Sequence, residues 1–207
     1  MKANSPAPAG SRKRGPESHP AWVDNCSHSD LVEAMAAQIV EQAIEEQGKE
    51  AALRSDRRDA ALHEAGHVLL HHVEGDRVQS VRIWKNGDWW EGYTNAGTAW
   101  EVTTSTDPAD DERRARILAA GWAGEAVALG EHMAKGANAH ELATARLIAA
   151  AAADKRGQAP EPHAGQLIGQ VFDVLAARRA AFERIAAALE RNRRLDGRQV
   201  RAMLARP

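Results

Sequence analysis

Period-two alternation is confined to one short region of this 207-residue chain, and nearly every other segment that repeats does so with helical spacing. The stretches "VQSVRIW" (78–84), "WEGYTN" (90–95) and "TAWEVTT" (98–104) alternate and carry β-branched and aromatic residues, with "KNGD" as a turn between the first two. Three strands of this length make one small antiparallel sheet. The expected class is therefore α+β, mostly α.

Helical patterns flank that sheet on both sides. Before it, Leu31, Met35, Ile39, Val40 and Ile44 give one apolar face to a helix over 29–47, with Ser29 or Asp30 to cap it and Gly48 to stop it. A second helix over 57–73 has a broad apolar side made by Leu62, Ala65, Val68, Leu69 and Leu70, with Gly75 near its end. After Asp107 and Pro108 the chain is helical to its end, in pieces at about 108–130, 138–154 and 163–191 and a short last one from about 196, punctuated by Gly130, Gly136, Gly157, Pro160, Pro162 and Gly197. Alanine runs such as "LIAAAAAD" form helices well and fill space poorly, so these helices should pack closely as a C-terminal helical bundle.

Residues 1–28 are rich in Pro, Ser, Gly and Arg and too poor in large apolar groups to offset the entropy of ordering, which predicts a disordered tail. Its "SRKRGP" is a solvated charge run. With 27 basic and 29 acidic residues the formal charge is -2, without the basic excess that a phosphate backbone demands, so nucleic acid is not an expected partner. The single cysteine, Cys26, excludes an internal disulfide framework and fits a reducing, cytoplasmic compartment. No uncharged apolar run is long enough to span a bilayer, and no apolar stretch follows the basic residues of the N-terminus.

The helix over 57–73 contains "HEAGH" at 63–67. Positions i and i+4 lie about 40° apart around a helix, so His63 and His67 project from one face and can reach a single ion. Zinc accepts imidazole nitrogen, and a catalytic zinc site keeps three protein ligands with water in the fourth position. Glu64 lies about 100° round the helix, placed to act as a general base and not as a fellow ligand. So short a motif arises by chance often enough that its helical context, with small Ala65 and Gly66 between the ligands, has to carry the weight. His71 and His72 continue the helix one turn further and read as partly exposed helix-end residues, favourable near the C-terminal dipole. A metzincin extension is excluded, because Leu70 and Val73 stand where it needs glycine and histidine. Glu91 could serve a thermolysin-like arrangement but stands in a predicted strand.

Five segments in order resemble the peptidase domain of FtsH-type ATP-dependent zinc proteases: "HEAGH" at 63–67, "GYT" at 92–94, "AAGWAGEAVALGE" at 119–131, "KGANAHELATARLIA" at 135–149 and "RIAAALERNRRLDGRQV" at 184–200. The resemblance covers roughly 55–207. It implies a zincin-like fold, with the "HEAGH" helix beside the small sheet, and zinc-dependent hydrolysis of peptide bonds in protein or peptide substrates. It also implies an edge of the sheet that holds an extended peptide by strand addition, with Trp84, Trp89, Trp90 and Trp100 as candidates to line side-chain pockets. The family's third ligand is an aspartate just before a leucine at the start of a helix. Here Asn138, Ala139, His140, Glu141 and Leu142 occupy that stretch. Alignment on Leu142 places Glu141 at the ligand position, and His140 is the alternative.

The resemblance stops short of the whole family architecture, since the chain has neither an apolar span nor a G-x-x-x-x-G-K-[ST] phosphate loop. Three regions are thus expected: a tail at 1–28, an amphipathic helical extension at 29–54, and an FtsH-like, ATP-independent zinc peptidase domain at 55–207. The 29–47 helix suits docking on that domain, self-association as a homo-oligomer, or binding of a separate partner protein. Two rivals remain open. One is a regulatory peptidase that cleaves a repressor, suggested by "HVLLHH" after the motif. The other is a non-catalytic zincin-like binding module, suggested by the altered third-ligand segment.

Overall fold

Helix α1 runs from Arg57 to Val73, within the bounds that its pattern predicts. It is buried almost all round, with Ala60, Ala61, Ala65, Val68, Leu69 and Leu70 fully enclosed, and a helix buried on every side must be sheathed by several elements. It stops in a glycine-terminated turn: Gly75 has φ 86°, and the Asp76 and Gly75 N–H groups donate to the carbonyls of His71 (2.8 Å) and His72 (3.2 Å). The computed structural model that shows this describes residues 57–97, 104–129 and 139–205. The tail at 1–28, the extension at 29–54 with its helix at 29–47, Cys26, and 98–103 of the strand expected at 98–104 lie outside the described residues.

The first two expected strands form a hairpin. Strand β1 (Ser80–Asn86) pairs antiparallel with β2 (Trp89–Asn95), and Asn86 opposite Trp89 closes a two-residue Gly87–Asp88 turn in which Gly87 has φ 60°. A third strand comes from a place the alternation does not mark. β3 (Arg194–Asp196) pairs with the other edge of β1, Leu195 opposite Val81, so the order is β2-β1-β3. Three residues are too few to show a period of two. What holds β3 is Leu195, fully buried beside Val81 and Ile83 in the main core.

Helix α2 (Pro108–Leu129) begins where Asp107 and Pro108 predict, with Asp107 Oδ1 accepting the Ala109 N–H at 2.9 Å and proline at the first helical position. Helix α3 spans Ala139–Lys155. The single helix expected at 163–191 is instead two, α4 (Pro160–Ala177) and α5 (Arg179–Asn192), broken at Arg178 with φ -116° and ψ 25°. No glycine or proline marks the break. Its cause is packing: Ala164, Leu167, Val171 and Leu175 turn α4 toward α2 and α3, whereas Phe182, Ile185 and Leu189 turn α5 onto α1. One straight helix cannot face both. The chain leaves α5 through Arg193, at φ 62°, and after β3 enters α6 (Gly197–Leu204) through a capping box between Asp196 and Gln199.

The described chain is thus mostly helical with a three-stranded antiparallel sheet. The sheet, α2 and α5 enclose α1. No helix among the described residues is long and apolar enough to cross a membrane.

Candidate metal centre

The backbones of α1 and α2 touch where they cross. A Cβ on Gly66 would stand 2.1 Å from the Ala120 carbonyl oxygen, so only glycine fits there. This close approach brings the two histidines of α1 against acceptors on α2. His63 Nδ1 lies 3.0 Å from Glu125 Oε1, and His67 Nδ1 lies 2.9 Å from the Ile117 carbonyl oxygen. A carbonyl and an ionised carboxylate only accept, so in the neutral rings both Nδ1 atoms carry the proton and both Nε2 atoms present a lone pair.

Those lone pairs converge. The two Nε2 atoms are 3.0 Å apart, and Glu141 Oε2, from the first turn of α3, is 3.0 Å from that of His63 and 3.4 Å from that of His67. Four-coordinate zinc with bonds of about 2.0 to 2.1 Å sets its ligand atoms about 3.3 Å apart, so the triangle fits three corners of such a tetrahedron. Three lone-pair atoms this close repel one another unless a cation or a proton lies among them. The Glu141 side chain is 33% exposed, but its Oε2 is sealed from solvent. Burial there acts to raise the carboxyl pKa, yet with protons rather than an ion among these atoms the positive charge and Nε2–H donors of the protonated His63 and His67 rings outweigh it and hold the group well below the usual carboxylate range.

Of the two third-ligand candidates, the fold brings Glu141 to the histidines. His140 is not in the donor group among the described residues, and its Nδ1 is buried without a hydrogen-bond partner. The ring of His63 also depends on Gly121, where a Cβ would stand 2.1 Å from the ring's Cε1. Gly121→Ala is expected to push the imidazole off the triangle and lower bound zinc below one per chain while helix content is kept. Metal analysis beside circular dichroism checks this, and full zinc occupancy in the variant would contradict it.

Glu64 is held against the sheet and is not one of the three donors of the triangle, although it lines the same cleft as His67 and Glu141. It is 3% exposed, its Oε2 accepts from the Thr94 hydroxyl at 2.7 Å, and a Cβ on Gly92 would stand 2.3 Å from its Oε1. The "GYT" segment therefore makes room for this carboxylate with its glycine and orients it with its threonine. A cleft of about 200 Å³ opens here, walled by Glu64, His67, His71, Glu141, Ile117, Leu118 and the 92–94 stretch of β2.

Several sequence expectations change. His71 is not partly exposed: it is 3% exposed, bonded to Asp76 and part of the cleft wall, whereas His72 is exposed as expected. The helical pattern could not show this, because the partner of His71 is Asp76, beyond the end of its helix, which is itself paired with Arg113 of α2. Trp84 and Trp90 do not line the cleft. The Arg82 guanidinium lies over Trp84, and those of Arg57 and Arg193 lie over Trp90. The Trp89 side chain and Trp100 lie outside the described residues. Glu91 accepts from Asn86 within the hairpin and is absent from the donor group. Glu125 went unremarked in the sequence, although a lone carboxylate inside the small-residue run "AAGWAGEAVA" signals a buried charge with a partner.

Neither protein-family models nor curated proteins show a match to this chain.

Proposed function

We propose that the chain is a zinc-dependent, ATP-independent metallopeptidase of FtsH-like, zincin-like design, acting on protein or peptide substrates in the cytoplasm. The observation that carries this reading is the triangle of His63 Nε2, His67 Nε2 and Glu141 Oε2, with Glu64 at the same cleft. These three residues would hold the ion. Zinc in such a site polarises a carbonyl oxygen and makes nearby water more acidic.

The protein's own groups do the rest. Glu125 and the Ile117 carbonyl fix the tautomers that turn both Nε2 atoms inward. Glu64, oriented by Thr94, takes a proton from the attacking water and returns it to the leaving amine. Among the described residues β2 is an edge strand, and its 92–94 stretch borders the cleft, which supports binding of an extended peptide by strand addition. Three further segments that resemble the FtsH-type domain meet "HEAGH" at this centre: "GYT" through Thr94, "AAGWAGEAVALGE" through Glu125 and "KGANAHELATARLIA" through Glu141.

The test is zinc stoichiometry and casein cleavage in the wild type, Glu141→Ala and His140→Ala. One zinc per chain and chelator-sensitive cleavage are expected in the wild type and His140→Ala, and both are expected to be lost in Glu141→Ala. Zinc held undiminished by Glu141→Ala would remove Glu141 from the centre, and a zinc-loaded wild type without cleavage would leave a binding module and not an enzyme.

A further inference from the structure

A groove of about 270 Å³ follows the seam between α1 and α5 beside the end of α2, and it shares no residue with the cleft at Glu64. Leu62, Val127, Phe182 and Ala186 give it an apolar floor. Its lining also takes in Arg58, from the first turn of α1, and Glu190, from the last turn of α5. One end of the groove therefore lies where the described chain begins.

That end is cationic. Arg57 donates through Nη2 to the Arg191 carbonyl at 2.7 Å, and the guanidinium groups of Arg57 and Arg193 both lie over Trp90. With Arg58 this makes four arginines, against Asp59 and Glu190 as the carboxylates of the same two turns. Further along the groove, Glu183 is ion-paired with Arg179 at 2.8 Å, so that stretch of the rim is balanced.

The chain that precedes Arg57 has the complementary character. Residues 29–47 place Leu31, Met35, Ile39, Val40 and Ile44 at helical spacing, and they carry Asp30, Glu33, Glu41, Glu45 and Glu46 with no basic residue. An amphipathic helix laid in an apolar groove is a recurrent mode of recognition. The nine residues 48–56 can span about 30 Å, close to the length of a 19-residue helix, so the segment can fold back along the groove from its entry point. So short a tether holds the segment at an effective concentration on the order of millimolar, which favours it over a second copy of the chain.

We infer that the groove between α1 and α5 is the docking site of this chain's own residues 29–47, whose apolar residues enter the groove while Glu41, Glu45 and Glu46 meet the arginines at its mouth. This does not rest on the peptidase reading.

Amide hydrogen exchange in the 207-residue chain, read by mass spectrometry, reports docking as slowed exchange in 29–47. Slowed exchange that does not depend on protein concentration is expected. Arg57→Glu with Arg191→Glu should speed exchange there about tenfold, the scale of two surface ion pairs turned into repulsions. Adding Glu41→Lys and Glu45→Lys should restore most of the protection, which a general loss of folding would not allow. If the reversed variant does not fold, Ala187→Arg, on the groove wall, should release the segment without touching the mouth. Exchange in 29–47 as fast as in an unstructured peptide overturns the inference. Protection unchanged in the folded variants overturns the groove as the site, and protection that rises with protein concentration overturns docking within one chain in favour of a second copy.

Discussion

Glu64→Gln is expected to lower casein cleavage by about 10²- to 10⁴-fold, the range that a general base contributes, while zinc stays at one per chain. Glutamine keeps the size of the side chain, so it still fills the space that Gly92 leaves and can still meet the Thr94 hydroxyl 2.7 Å from the native oxygen. What it loses is the ability to take a proton from water. The loss should fall on kcat, because the group acts in the transition state and not in holding substrate. A variant that cleaves at the wild-type rate would remove Glu64 from the mechanism, and one that also loses zinc would make it a structural partner of the centre.

The second large effect is expected at Glu125, which touches no substrate. Its carboxylate is 3% exposed and sits 3.0 Å from His63 Nδ1, on the side of the ring opposite Glu141. Carboxylates placed behind a ligating histidine orient the ring and strengthen it as a ligand, and losing them costs about 10- to 100-fold in metal affinity. Glu125→Gln, which can still accept from Nδ1 but carries no charge, should weaken zinc about tenfold. Glu125→Ala, which leaves a buried N–H without an acceptor and no longer sets the tautomer, should weaken it about 100-fold. Competition with a chromophoric chelator at constant pH measures both. Zinc affinity unchanged in both variants would mean that packing against Gly121 alone holds the His63 ring.

The parts of this centre differ in how far the sequence exposes them. His63, Glu64 and His67 lie within one helix, and the geometry of a helix is fixed by its period, so the shared face of the two histidines and the separate direction of Glu64 follow from spacing. Glu141 is a different case. Sequence register favours it over His140, but only the docking of α3 on α2 carries its Oε2 to the two Nε2 atoms. Glu125 is visible as an oddity among alanines and glycines, while its partner, 62 residues away in sequence, is not.

The same contrast runs through the fold. Helix α1, the β1–β2 hairpin and the start of α2 are local events set by periodicity, a glycine turn and an aspartate–proline cap, and they are found where the sequence puts them. The break at Arg178 and the strand β3 depend on surfaces supplied by distant segments, α1 for α5 and β1 for Leu195, and His71 is held by Asp76 just beyond its helix, which is in turn paired with the distant Arg113. By itself, then, the sequence determined the mixed, mostly helical class, the helix that carries "HEAGH" and the roles open to its three polar residues. The tertiary structure alone decided which carboxylate joins the histidines, which ring nitrogens face it and which further histidine reaches the cleft. The reason is physical: a helix or hairpin is set by neighbours a few residues away, whereas a ligand triangle is set by backbones that approach only where residues such as Gly66, Gly121 and Gly92 leave them room.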